Sequence, residues 1–356
     1  MFDVYFYEVF EEEAVWLKKL LPPEIRAGYT WKTVQESGDQ DPPAAFISVR
    51  TQSRLPAAWK MKLGAILSRT TGFDHLRRYL DSDEGAPGVG GSADSVTTSL
   101  PGRSVSSPGS SAGPVPGSAA VPAAGYLPLY CSRAVAEQAM MLWMVLLRRL
   151  PLQLERFREF NRDGLTGREC AGKTLVVVGV GNIGSELVKI GCGLEMTVIG
   201  VDLAERHEFV HYEMIEEALP RADVVVCSMN LTPENTGYFD VTRLHRMPRG
   251  AVFVNIARGE MSPTVDLLAA VEEGHLGGVG LDVYNRESEL AISLRTGKRS
   301  DDREVQAILA LSRHPNVILT PHNAFNSDEA VERKARQSLE QVVAFRSRGG
   351  FIWPVP

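Results

Sequence analysis

Apolar positions along this chain come in short blocks separated by polar stretches at near-regular intervals. Toward the N-terminus the blocks DVYFYEV, AAFISVR and LGAILSR have the length and the β-branched or aromatic content of strands. Helix-like pieces such as EEEAVWLKKLL lie between them. From Thr174 the alternation becomes regular, with strand-like blocks TLVVVG, MTVIGVD, DVVVCS, AVFVNIA, GGVGLDVY and NVILTP and helical segments between most of them. Strands alternating with helices predict parallel sheets covered by helices, the α/β class, and six such strands make a full doubly wound sheet. The stretch SDEAVERKARQSLEQVVAFRSRG reads as a final amphipathic helix before FIWPVP.

Two segments depart from this rhythm. From about Asp81 to Gly125 the chain is dominated by Gly, Ser, Pro and Ala. So few large apolar side chains cannot offset the entropy of ordering, which predicts a weakly ordered surface insertion. The stretch SRAVAEQAMMLWMVLLRRLPLQLERFREF reads as one long helical run, broken or kinked at Pro151. Its dense apolar first half suits burial, either inside the chain or in a subunit interface.

Bulk composition narrows the class. A chain of 356 residues is too long for one compact core and suits two domains. Hydrophobic residues at 44% and charged residues at 23% are ordinary for a globular protein. A net charge of −6 argues against a nucleic-acid footprint. Cys131, Cys170, Cys192 and Cys227 include no CxxC pair, so neither a disulfide framework nor a Cys/His zinc cluster is expected, and no metal site. The run AMMLWMVLL is too short to span a bilayer, and MFDVYFYEVFEEEAV has no basic n-region. A cytoplasmic location with no membrane partner is the expectation.

The most informative stretch is TLVVVGVGNIGSELVKIGCGLEMTVIGVD. Gly179, Gly181 and Gly184 form G-x-G-x-x-G between a strand and a helix, and the next strand ends in Asp202. Each part has a task in holding a dinucleotide. Gly179 permits the sharp turn, Gly181 leaves room for the pyrophosphate, and Gly184 lets helix and strand pack closely. The helix N-terminus offers free N–H groups to the phosphates. Asp202 would accept hydrogen bonds from the adenosine ribose and repel a 2′-phosphate, which predicts NAD rather than its phosphorylated form.

Three later pieces place reactive side chains just past strand ends, where open α/β sheets bind ligands: Arg258 in FVNIARGE, Asp282 and Glu287 in GLDVYNRE, and His322 in ILTPHNAF. An arginine grips a carboxylate through paired N–H···O bonds. A histidine gives or takes the proton that accompanies hydride transfer, and a neighbouring carboxylate favours the imidazolium and fixes its ring. The trio Arg258, Glu287 and His322 suits interconversion of a 2-hydroxy acid and a 2-keto acid.

The pieces GVGNIG, LTPENT, NIARG, GLDVYNRE and NVILTPH together resemble the D-isomer-specific 2-hydroxyacid dehydrogenases. The resemblance runs through most of the chain outside the low-complexity run. It implies a D-hydroxy acid product, Arg258 as the substrate-binding arginine, His322 as general acid/base and Glu287 as its partner. By the same resemblance Asn182 and Ile183 sit at the pyrophosphate turn, Met229, Asn230 and Asn235 line the cofactor, Ile256 and Ala257 meet the nicotinamide, and Asp282 lies near its amide. SRTTGFDHL resembles the loop whose backbone N–H groups at Thr71 and Gly72 hold the substrate carboxylate. VRTQSRL resembles, more loosely, a segment that can carry a substrate-contacting arginine, here Arg50, with an ordinary surface role as the alternative. Asn230 stands where the family usually has proline, and the segment between Glu287 and NVILTPH is longer and more charged than usual.

The expected architecture is therefore two Rossmann-like domains. Residues 1–128 with 325–356 form a discontinuous substrate domain, and residues 129–324 form an inserted NAD-binding domain. The family implies a homodimer. A second functional class is also open: relatives that keep the same residues act as NAD-sensing corepressors, with the Ser/Pro-rich run as a possible protein-binding part.

Overall fold

The computed structural model describes residues 2–81 and 121–356. Most of the Gly/Ser/Pro-rich run therefore lies outside the described residues. Its last residues do not belong to an insertion: Ala123–Gly125 form a strand at the edge of the first sheet.

Two parallel sheets carry the fold. The first has strands β1 (Val4–Phe6), β2 (Ala27–Tyr29), β3 (Phe46–Val49), β4 (Ala65–Ser68) and β5 (Ala123–Gly125), in the order β2-β1-β3-β4-β5. The second has β6 (Thr174–Val178), β7 (Thr197–Val201), β8 (Val224–Cys227), β9 (Ala251–Asn255), β10 (Leu276–Leu281) and β11 (Val317–Leu319), in the order β11-β10-β9-β8-β6-β7. Every pairing is parallel. The unbroken valine runs of β6 and β8 are buried on both faces, as a helix-covered parallel sheet requires. The order turns outward on either side of β6 and β8, so a crevice opens beyond their carboxyl ends, where TLVVVG meets its glycines.

The long helical run divides upstream of its proline. One helix spans Ser132–Leu147, Arg149 takes a left-handed conformation, and a second helix spans Leu150–Arg156. Pro151 sits in the first turn of the second helix, where its missing N–H costs nothing, so it starts an element rather than bending one. Leu142 and Leu146 of the first helix lie on β10, close over Gly280 and Gly278. That half is core within the chain. Leu154, Phe157 and Phe160 beyond it are exposed.

The helix Asp328–Arg348 returns to the first sheet and packs beside the helix Glu11–Leu20. Its buried face includes Lys334, Ser338 and Gln341, which an amphipathic pattern would place in solvent. Lys334 Nζ lies 2.9 Å from Glu13 Oε1, and Arg69 Nε donates to the same oxygen at 3.0 Å, with all three side chains fully buried. Arg69 also donates to Ser48 Oγ and to the Tyr7 carbonyl. One buried arginine thus ties three central strands to helix Glu11–Leu20, and Lys334 brings the last helix to the same acid. Burial pushes the Glu13 carboxyl up, and Arg69 and Lys334 outweigh it, holding its pKa down at about 2. Burial lowers the Lys334 amine to about 7 with Glu13 opposing the shift, so removing the carboxylate strands the buried Arg69 guanidinium and drives that amine toward its neutral form. Glu13→Ala is expected to lose about 3–5 kcal/mol of stability, read as a lower midpoint in urea unfolding.

Candidate active site

The glycine turn after β6 is shaped by space. Gly179 has φ +94°, and a Cβ there would come within 2.6 Å of the Met229 backbone nitrogen. A Cβ at Gly184 would lie 2.1 Å from the Gly179 carbonyl oxygen, so helix Asn182–Gly193 sits directly on the turn. At Gly181 the same test meets nothing within 4 Å. Gly181 is also the helix N-cap, with no side chain capping it. Two tight glycines and one open glycine before an uncapped helix make a cradle that fits a pyrophosphate. Asp202, at the end of β7, accepts from the Val180 amide at 2.6 Å and from the Ala204 amide at 3.2 Å, and it remains exposed. A cavity of about 520 Å³ opens beside the turn, lined in part by Asn182, Ser185, Ser132 and Arg333.

The other expected cofactor residues line the same edge. Ile183 and Met229 are half-buried and Asn230 is exposed. The Asn235 side chain accepts from the Thr232 amide and donates to the Asn230 carbonyl, so it shapes the loop from within. Ile256 and Ala257 are buried past β9. There Asn255 holds the turn: its Nδ2 donates to the Arg258 carbonyl and to Ser262 Oγ, and its Oδ1 accepts from the Ala257 amide.

Arg258 leaves this turn and crosses to the first sheet. Its Nε and Nη2 donate to Asp74 Oδ1 at 3.1 and 3.0 Å, and its Nη1 donates to the Ala257 carbonyl. Burial pushes the Asp74 carboxyl up, but the guanidinium beside it wins and holds it below the usual range. A Cβ on Gly72 would fall 1.7 Å from Arg258 Nη2, so any larger residue must push the guanidinium off its present position. Thr71 and Gly72 follow β4, and the Thr71 hydroxyl lies 3.3 Å from Cys131 Sγ. Arg50, past β3, lies with its guanidinium carbon 4.6 Å from the centre of the Phe325 ring.

His322 stands past β11 in a left-handed conformation, φ +51°. Its Nδ1–H donates to both oxygens of Glu287, at 2.9 and 2.8 Å. Glu287 itself follows Arg286, another non-glycine residue with positive φ. Such backbone strain persists where surrounding contacts over-determine it, and those contacts centre on Asp282. The Asp282 carboxylate is buried and accepts from Thr320 Oγ1 at 2.6 Å, the Asn323 amide at 2.9 Å and the Ala324 amide at 2.8 Å. Its carboxylate is turned into the His322 loop as an anchor. Tyr284 Oη adds a bond to the Thr320 carbonyl at 2.7 Å.

The structure thus brings Arg258 to Gly72, Glu287 to His322 and Arg50 to Phe325. It also supplies partners that the pattern of residues did not single out: Asp74, Asn255, Thr320 and Phe325. Asp74 lies two positions beyond Gly72 in TTGFDHL, and that acid beside a backbone-binding loop was the available signal. Among the described residues no group of three or more His, Cys, Asp or Glu is placed to hold a metal ion, and no helix is long and apolar enough to cross a membrane.

Gly72→Ala must displace Arg258 by an ångström or more. Because such a misplacement costs about 100-fold in rate, the variant is expected to lose turnover on that scale while NADH binding, followed by fluorescence titration, stays intact.

Comparison with known proteins fixes the family. The model for the D-isomer specific 2-hydroxyacid dehydrogenase, NAD binding domain, matches residues 140–324, more than half of the chain. A D-lactate dehydrogenase of Streptococcus agalactiae is 33% identical over 226 residues, covering 61% of this chain and 67% of that one. The 2-hydroxyacid dehydrogenase A of Aspergillus oryzae is 35% identical over 224 residues, covering 62% of this chain and 64% of that one. Among solved structures, a D-lactate dehydrogenase from Aquifex aeolicus, complexed with NAD and lactic acid, superposes with a TM-score of 0.77 at 25% identity over 98% of each chain. The chain belongs to the NAD-dependent, D-isomer specific 2-hydroxyacid dehydrogenases.

Proposed function

We propose that this protein interconverts a 2-keto acid and the corresponding D-2-hydroxy acid, with His322 moving the proton. The observation that carries this reading is the His322–Glu287 pair. Glu287 engages Nδ1 with both oxygens, which leaves Nε2 as the nitrogen that exchanges a proton with substrate.

When bound, the nicotinamide supplies the hydride for C2 in reduction or accepts it in oxidation. Gly179, Gly181, Asn182, Ile183 and Gly184 hold the pyrophosphate, and Asp202 takes the adenosine ribose. Met229, Asn230, Asn235, Ile256 and Ala257 wall the cofactor, and Asp282 supports that wall by fixing the loop around His322. The Thr71 and Gly72 amides and the remaining N–H groups of Arg258 hold the substrate carboxylate, with Asp74 aiming the guanidinium. In reduction His322 Nε2–H gives its proton to the carbonyl oxygen as C2 gains the hydride. One hydride and one proton are added, and the C=O bond becomes C–OH. The reverse reaction returns the proton to Nε2.

The site lies between two units, residues 1–128 with 325–356 and residues 129–324. The packing of helix Asp328–Arg348 on Glu11–Leu20, and a bridge between Gly125 and Pro354, support that division. Closure of such a cleft shields the reacting atoms from water. The exposed side chains of Leu154, Phe157 and Phe160 suit a homodimer interface. Four unpaired cysteines suit the reducing cytoplasm.

The test is a spectrophotometric screen of NADH and NADPH oxidation with glyoxylate, pyruvate, hydroxypyruvate, oxaloacetate and phenylpyruvate. A steady rate is expected with at least one keto acid, with NADH preferred and the D-hydroxy acid as product. Tight NADH binding without turnover of any of them would instead favour the sensor role.

A further inference from the structure

The loop proposed to bind the substrate carboxylate is held from beneath by a short chain of side chains. Thr70 Oγ1 donates to the Gly72 carbonyl at 2.6 Å. Ser68 Oγ lies 2.6 Å from Thr70 Oγ1, and His75 Nε2 lies 3.3 Å from Ser68 Oγ. Ser68 ends β4 and Thr70 follows it, both buried. His75 is the second residue of helix Asp74–Asp81, which leaves the loop on its far side. The first residue of that helix, Asp74, holds Arg258. One helix start therefore grips the site twice, through the guanidinium and through the loop backbone.

Counting protons gives the chain one direction. A carbonyl oxygen only accepts, so the single hydroxyl proton of Thr70 is spent on Gly72. Ser68 must then donate to Thr70, because otherwise two oxygens 2.6 Å apart would meet with no proton between them. With its own proton spent, Ser68 can only accept from His75 Nε2–H. A neutral imidazole that carries its proton on Nε2 keeps a bare lone pair on Nδ1. His75 Nδ1 is buried and has no partner among the described residues, whereas a second N–H there would need an acceptor. Burial pushes the imidazole down to about 4, with Asp74 opposing, Arg258 adding to the shift and Glu8 opposing. His75 is thus uncharged at neutral pH and has one donor, which Ser68 takes.

The direction of the chain matters to an anion. The amides of Thr71, Gly72 and Phe73 donate to nothing among the described residues. Across a planar trans peptide the carbonyl and the following N–H point opposite ways. Drawing the Gly72 carbonyl onto buried Thr70 turns the Phe73 N–H away from the strand. It also keeps a carbonyl oxygen from facing the carboxylate that Arg258 attracts.

Resting on the reaction proposed above, we infer that His75 is a positioning residue for it: its Nε2–H, relayed by Ser68 and Thr70, locks the Gly72 peptide so that the loop meets the substrate carboxylate with N–H groups alone.

The test joins kinetics to a spectroscopic signature. It measures kcat, KM and NADH affinity for Thr70→Val, Thr70→Ser, His75→Phe, His75→Gln and the double variant Thr70→Val/His75→Phe. The substrate is whichever of the screened keto acids the wild type reduces fastest. Thr70→Val and His75→Phe are each expected to raise KM for the keto acid about tenfold, the scale of one buried hydrogen bond left unmade, with NADH affinity unchanged. Thr70→Ser and His75→Gln keep a donor in place and should recover most of the loss. Because both substitutions cut one chain, the double variant should be no worse than the more damaging single variant. By nitrogen NMR of the labelled wild type, His75 should hold the neutral Nε2–H tautomer without titrating between about pH 5 and 8. Additive losses in the double variant would overturn the relay. So would a loss of NADH affinity that Thr70→Ser and His75→Gln share with the harsher variants, because these residues would then only support the fold. An Nδ1–H tautomer, or titration in that range, would overturn the inference on the wild type alone. Turnover of none of the keto acids, with NADH still bound in a fluorescence titration, would overturn the reaction itself and this inference with it.

Discussion

The cleft depends on one buried carboxylate. Asp282 has lost its water and is repaid by Thr320 and two backbone amides of the loop that follows β11. Those bonds pin the loop on both sides of residue 322 and so hold a histidine in a left-handed conformation that a free chain would rarely adopt. Glu287 can then meet Nδ1 from the end of the neighbouring strand without either side chain searching for the other. Burial pushes the Asp282 carboxyl up, and its hydrogen bonds oppose the shift. Its three hydrogen bonds keep the anchor in the geometry it enforces.

A second constraint joins the two sheets. Arg258 belongs to the cofactor-side sheet, yet its ion pair and its closest steric neighbour, Asp74 and Gly72, belong to the other. The guanidinium is thereby held in one place against Gly72, on the loop proposed to bind the substrate carboxylate. Preorganised donors of this kind stabilise developing charge without reorganisation at the moment of reaction. Behind them, the Glu13–Arg69–Lys334 cluster fixes how the last helix rests on the first sheet.

Much of this was legible in the residues. The valine-rich blocks of the second sheet are buried on both faces, so they stand out as continuous apolar runs, and each ends in glycine or a polar residue at the cleft. Strands β2 and β5 were hidden because AGY and AAG carry too little side chain to show a period. Pro151 was a correct sign of a break placed two residues late, because proline opens a helix more readily than it kinks one. The Arg258–Asp74 contact spans 184 positions, and nothing in local spacing encodes such a meeting. Lys334 was hidden for a different reason. A helical pattern assigns a lysine to solvent, and only the partner acid on another helix permits its burial.

The central claim is that His322 moves the proton in a reaction whose cofactor is held elsewhere. It is tested most directly by measuring NADH affinity and single-turnover keto-acid reduction in the same preparation of His322→Gln. The account predicts affinity close to wild type and a reduction rate lower by about 10²–10⁴-fold, the contribution of general acid catalysis. A variant that keeps its rate would contradict the assignment of the proton to this histidine.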